Sequence, residues 1–127
     1  MRGKILIVDD DPAFLMMAAK ELTQAGYAVK TSETGCGALA LLDSENFDLV
    51  YTDLVMPDMD GVAVCRAIKE RKPGLQVFLI SAHHDKVMQQ HLDFLKAGGR
   101  DKYLRKPLEK GELAEETDAV MQEIRDR

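Results

Sequence analysis

The chain contains no tryptophan, only two cysteines and 6% aromatic residues. Cys36 and Cys65 form no CxxC pair and have no histidine at ligand spacing, which excludes a disulfide framework and a sulfur-ligated metal site. Both are expected as unpaired, buried thiols in a reducing compartment. An excess of positive charge is missing too. With 17 Lys and Arg against 22 Asp and Glu, a net charge of −5 and a pI near 5.2, the chain lacks the basic footprint that nucleic-acid phosphates require. Any DNA binding would lie outside this chain. Long hydrophobic runs are also absent. The apolar stretch behind the basic start "MRGKILIV" runs straight into Asp9 and Asp10, too short for a signal peptide or a membrane span. No membrane partner and a cytoplasmic location are expected. Without linkers, repeats or low-complexity segments, 127 residues read as one domain, residues 1–127.

What is present is an alternation of two periodicities. "KILIV" and "QVFLI" are continuously apolar, as strands covered on both faces must be. Between such runs, Leu15, Ala18, Leu22 and Ala25 recur at helical spacing, opened by Asp11-Pro12 and closed by Gly26. The pattern continues through the strand "YAVKT", a helix over "GCGALALLDS", the strand "DLVYTD" and a helix over "GVAVCRAIKERK" stopped by Pro73-Gly74. The strand "LQVFLIS", a helix over Lys86 to Ala97, a short strand "KYLRK" and a last helix over Leu113 to Ile124 complete it. Five βα units predict one doubly wound α/β domain, a parallel sheet with helices on two faces. Gly61 is expected where the backbone passes closely, Gly98-Gly99 at a helix end, and Met16, Met17 and Met121 as core or face filler.

In an open parallel sheet, chemistry lies beyond the carboxyl ends of the strands. Those ends here carry Asp9-Asp10-Asp11, Asp53, Ser81 and Arg105-Lys106-Pro107. Asp11 is assigned a helix-capping role. Asp9, Asp10 and Asp53 would repel one another unless a cation intervenes, and oxygen donors without a nearby histidine suit magnesium rather than zinc. A strand-end carboxylate can also act as a nucleophile toward phosphorus, with Lys106 and Ser81 ready to receive phosphoryl oxygens. His83, His84 and His91 read as solvated helix and loop residues.

The blocks "ILIVDDDP", "DLVYTDLVMPDMDG", "VFLISA" and "YLRKP", in this order and at strand ends, resemble the receiver domain of bacterial two-component response regulators. The resemblance implies a flavodoxin-like sheet of order 2-1-3-4-5 with five helices, and a signalling domain rather than an enzyme. It implies Asp53 as phosphoacceptor from a phosphohistidine of a sensor kinase or a histidine phosphotransfer protein. Magnesium would be held by Asp9, Asp10, Asp53 and the Val55 backbone carbonyl, with Ser81 and Lys106 on the phosphoryl group and a cis Lys106–Pro107 peptide. Ser81 and Tyr103 would form the switch. The implied partners are that kinase, a downstream effector protein or domain, and a second copy of the chain in a phosphorylation-dependent homodimer.

Two features depart from the family's pattern. Twenty-five positions separate Ser81 from Lys106, a few more than usual, with at least one of the extra residues in "KAGGRDKYLRKP" just before the fifth strand, so the fourth helix or its loops should be longer. Val55 offers no side chain to position a hydrolytic water, and Ala82 should leave the phosphoryl group open. Three other readings compete. A degenerate receiver acting only as a scaffold would lack one of the acid pair, Asp53 or Lys106, and none is lacking. A haloacid-type phosphohydrolase needs a second Asp two residues after the nucleophile, where this chain has Val55. A flavin carrier needs a phosphate loop where this chain has "DDDP".

Overall fold

The computed structural model describes residues 2–126. The elements follow in strict alternation: β1 (Lys4–Val8), α1 (Pro12–Gln24), β2 (Ala28–Ser32), α2 (Gly35–Ser44), β3 (Leu49–Thr52), α3 (Gly61–Arg71), β4 (Gln76–Ser81), α4 (His84–Lys96), β5 (Leu104–Arg105) and α5 (Glu112–Arg125). The strands form one parallel sheet of order β2-β1-β3-β4-β5. This is the order expected from the resemblance, and β1 at its switch point leads into Asp9.

The continuously apolar strands serve two cores at once. On one face Leu6, Val8, Val50, Val77 and Leu79 pack with Ala38 and Leu42 of α2, Val64 and Ile68 of α3, and Val87 and Phe94 of α4. On the other, Ile5, Ile7, Leu49, Tyr51, Phe78 and Ile80 pack with Phe14, Leu15 and Leu22 of α1 and Leu113, Val120 and Met121 of α5. Successive strand residues point to opposite faces, so no position in β1 from Ile5 to Val8 could be polar without losing a core contact. Each such side chain contributes roughly 1.5–3 kcal/mol when fully buried.

Several local expectations change. Cys65 is buried but Cys36 is exposed, because the first turn of α2 presents it to solvent beside the β3–α3 loop. Met121 belongs to the core, whereas Met16 and Met17 are 76% and 47% exposed on the outer side of α1. β5 is only two residues long, flanked by an irregular segment before it and by Pro107 after it. Proline cannot donate to a sheet ladder.

Candidate functional site

The carboxyl edge is assembled by backbone ladders that continue past the strands. Asp9 N donates to Ser32 O at 3.0 Å and Asp53 N to Val8 O at 2.9 Å, so both aspartates leave the sheet side by side. Asp9 is 1% and Asp53 4% exposed. Asp11 caps α1 as expected, accepting from Ala13 N at 3.0 Å, and its own amide donates to Asp9 Oδ1 at 3.0 Å. Leu54 N donates to Asp53 Oδ1 at 2.7 Å. Each buried carboxylate therefore has one oxygen held by backbone and a second aimed at the edge.

The second oxygens face Lys106. Its Nζ bonds Asp9 Oδ2 and lies 3.9 Å from Asp53 Oδ2. Lys106 N donates to Ser81 O at 3.0 Å, the Lys106–Pro107 peptide is cis, and the ammonium sits 4.2 Å from the centre of the Phe14 ring. An aromatic face attracts a cation, so Phe14 supports Lys106 from the α1 side. Burial pushes the Asp9 carboxyl above its usual value; the Lys106 ammonium and the Asp11 amide oppose the shift, and the Asp53 charge adds to it. Ser81 is fully buried at the end of β4, its hydroxyl oxygen accepting from His83 N at 3.0 Å.

Asp9, Asp10 and Asp53 each offer an oxygen within 4.8 Å of the others, Asp10 from the exposed side. Three carboxylates against one ammonium leave a local charge of about −2, which a hard divalent cation balances. The donor set is all oxygen and fits magnesium. Val55 lies two residues beyond Asp53, 37% exposed, and Ala82 is exposed beside Ser81. Tyr103 lies apart from this cluster. It is half-buried against the core on the α4 side, its ring 6.4 Å from that of His91.

Two residues of the site had no assigned role in the sequence. Phe14 lies outside the helical series Leu15, Ala18, Leu22 and Ala25 that the spacing picks out. Asp58, in the loop "MPDMDG", accepts from Gly35 N at 3.1 Å and Cys36 N at 2.9 Å, tying the loop behind Asp53 to the start of α2. These amides hold its carboxyl down at about 2. The loop returns through Gly61 N to Leu54 O at 2.7 Å, and Asp60 caps α3 through Ala63 N at 2.8 Å.

Comparison with known proteins places this geometry in context. The family model described as the response regulator receiver domain matches residues 5–118. The alkaline phosphatase synthesis transcriptional regulatory protein PhoP of Bacillus subtilis is 30% identical over 124 residues, covering 95% of this chain and 49% of that protein. The CheY-like response regulator receiver domain protein of Methanospirillum hungatei superposes with a TM-score of 0.87 at 30% identity, covering 94% of each chain. The response regulator TrrA of Thermotoga maritima, solved in complex with Mg(2+)-BeF, superposes with a TM-score of 0.79 at 31% identity, covering 92% of this chain and 97% of that one. The chain spans between 18% and 49% of the length of the first curated relatives it matches.

Proposed function

The chain belongs to the response regulator receiver domain family of two-component systems, and from that premise we propose that Asp53 accepts a phosphoryl group from a partner's phosphohistidine in a magnesium-dependent reaction. The observation that carries the assignment is the Lys106 ammonium set between Asp9 and Asp53, with an Asp10 oxygen within 4.8 Å of theirs.

Asp53 Oδ2 attacks phosphorus while the phosphorus–nitrogen bond to the partner's histidine breaks. The electron pair leaves with the imidazole nitrogen, which takes a proton from solvent, and Asp53 becomes an acyl phosphate. Asp53 Oδ1, held by Leu54 N, keeps the carboxylate aimed so that Oδ2 points outward. Lys106 leaves Asp9 for a phosphoryl oxygen, guided by the Phe14 ring, and the Ser81 hydroxyl turns from His83 N to donate to another. Asp9, Asp10, Asp53 and the Val55 carbonyl would hold magnesium, which when bound would supply positive charge to the phosphoryl group.

The donor is a histidine kinase or a phosphotransfer protein. Asp11, Ala13, Phe14, Met17, Ala82, Lys106, Pro107 and Leu108 line a cavity of about 350 Å³ beside the nucleophile. Met16, 76% exposed, extends this apolar surface along α1. A partner helix presenting apolar residues beside its phosphohistidine would bury that surface while delivering the phosphoryl group. Output then passes to an effector protein or attached domain, or to a phosphorylation-dependent homodimer. Incubation with acetyl phosphate and magnesium, followed by intact mass, tests the reading. One phosphoryl mass gain, lost in Asp53→Asn and on chelation of the metal, is expected; no gain with any small phosphodonor would favour a binding scaffold instead.

A further inference from the structure

The residues that lengthen the stretch between Ser81 and Lys106 have a definite place. Ile80 pairs with Leu104 and Ser81 with Arg105, and Lys106 N donates to Ser81 O. Carried back unbroken, this register would bring the Lys102 amide to Val77 O. The amide found there is that of Arg100, at 2.9 Å. Two residues are therefore looped out of the β4–β5 ladder just before Tyr103, a bulge rather than an extension of α4. The start of the segment is fixed, since Gly98 ends α4 at φ +101° and Gly99 N donates to Phe94 O at 3.0 Å.

The bulge is pinned on both flanks. His91 of α4 donates through Nε2 to the Asp101 carbonyl at 2.9 Å, with the Asp101 carboxylate 3.2 Å away, and its ring meets Tyr103 edge-on at 61°. On the other side Lys102 Nζ bonds Glu116 Oε2 of α5 at 2.7 Å, and the Glu116 side chain is only 14% exposed. Glu116 is followed by Thr117, whose buried hydroxyl bonds Tyr51 Oη at 2.7 Å, two residues before Asp53 on β3. Helices on opposite faces of the sheet thus grip one short segment that carries Tyr103.

We propose that this bulge couples Tyr103 to both helices at once, with His91 and Glu116 as positioning residues that set how far the Tyr103 ring moves when Asp53 is phosphorylated. The proposal rests on the phosphoacceptor reading and deepens its output step. A free loop before Tyr103 would let the ring move without displacing either helix; a segment tied at Asp101 and Lys102 passes the movement to α4 and α5 together.

The test uses protein labelled with 3-fluorotyrosine, titrated with magnesium and beryllofluoride, an acyl-phosphate mimic. Fluorine NMR reads the bound beryllofluoride and the three tyrosines in one spectrum, and Tyr103→Phe assigns the Tyr103 line. In the wild-type chain the Tyr103 line is expected to shift on beryllofluoride binding. His91→Phe, which keeps a ring but removes the bond to Asp101, and Glu116→Gln are each expected to cut that shift at least twofold while bound fluoride persists. Rescue is expected from His91→Gln, which restores a donor, and from the exchange Lys102→Glu with Glu116→Lys. Bound fluoride with a wild-type Tyr103 response in both disruptive variants would overturn the coupling, as would failure of both rescues. Absence of bound fluoride in the wild-type chain would instead overturn the phosphoacceptor reading beneath it.

Discussion

Gly61 stands where a side chain has no room. A Cβ there would lie 2.6 Å from the Asp53 carbonyl oxygen and 2.9 Å from Leu54 Cα, both backbone atoms that cannot swing aside. Gly61→Ala is therefore expected to shift the loop behind Asp53, costing about 1–3 kcal/mol in denaturant unfolding and slowing acetyl-phosphate labelling beyond what the stability loss explains. Asp58 has a pH signature. Its carboxyl is lowered from 3.8 to about 2 by the Cys36 and Gly35 amides, so its contribution to stability is present above 3.8 and is lost as pH falls through about 2. The stability gap between the wild-type chain and Asp58→Asn, measured by denaturant unfolding, should be constant above pH 5 and close towards pH 2. A gap independent of pH would contradict the assignment. At position 55 the exposed valine offers no polar group to a water, and Val55→Asn should change the lifetime of purified phospho-protein; an unchanged decay would remove that role.

At the scale of elements, helix ends and strand pairs depend on residues from elsewhere in the chain. The N-terminus of α5 follows Gly111 at φ +85° with no capping side chain of its own. Glu21 of α1 supplies the acceptor, to Gly111 N at 3.1 Å and Ala114 N at 2.8 Å. Glu21→Ala should cost about 0.5–2 kcal/mol, the range for loss of a helix cap, with Glu21→Gln nearer the wild type. Tyr51 and Thr117 form a buried polar pair between β3 and α5. Tyr51→Phe strands the Thr117 hydroxyl and should cost about 1–3 kcal/mol, while adding Thr117→Val should recover part of it. A strictly additive double-mutant cycle would contradict the pairing. These contacts explain what was legible. α2 and the start of α3 fall where "GCGALALLDS" and Gly61 place them, and the structure adds the local caps Thr34 and Asp60. Glu21 and Asp58 join residues far apart in sequence, with no short-range pattern to announce them, whereas the bulge before Tyr103 shows in the sequence as extra length between Ser81 and Lys106 but not as a register.

At the scale of the whole molecule, the strand ends disclosed Asp9, Asp53, Ser81 and Lys106 because a parallel sheet gathers its carboxyl ends at one edge. The structure brings Lys106 to Asp9 and Asp53 as that topology requires. Apolar side chains are exposed on both faces: α1 carries Met16 at 76% and Met17 at 47%, and α4 carries Met88 at 78% and Leu92 at 62% on the other face of the sheet. Under the proposed function, partner docking and output would use different surfaces around one charge. The reading stands on the covalent fate of Asp53, and the most direct measurement is chemical trapping. Protein treated with acetyl phosphate and magnesium is reduced with borohydride, which converts an aspartyl phosphate to homoserine, and the position is located by peptide mass mapping. Homoserine at position 53, absent when phosphodonor or metal is omitted, is the expected result. Homoserine at another aspartate, or none while a phosphoryl group is retained elsewhere, would contradict it.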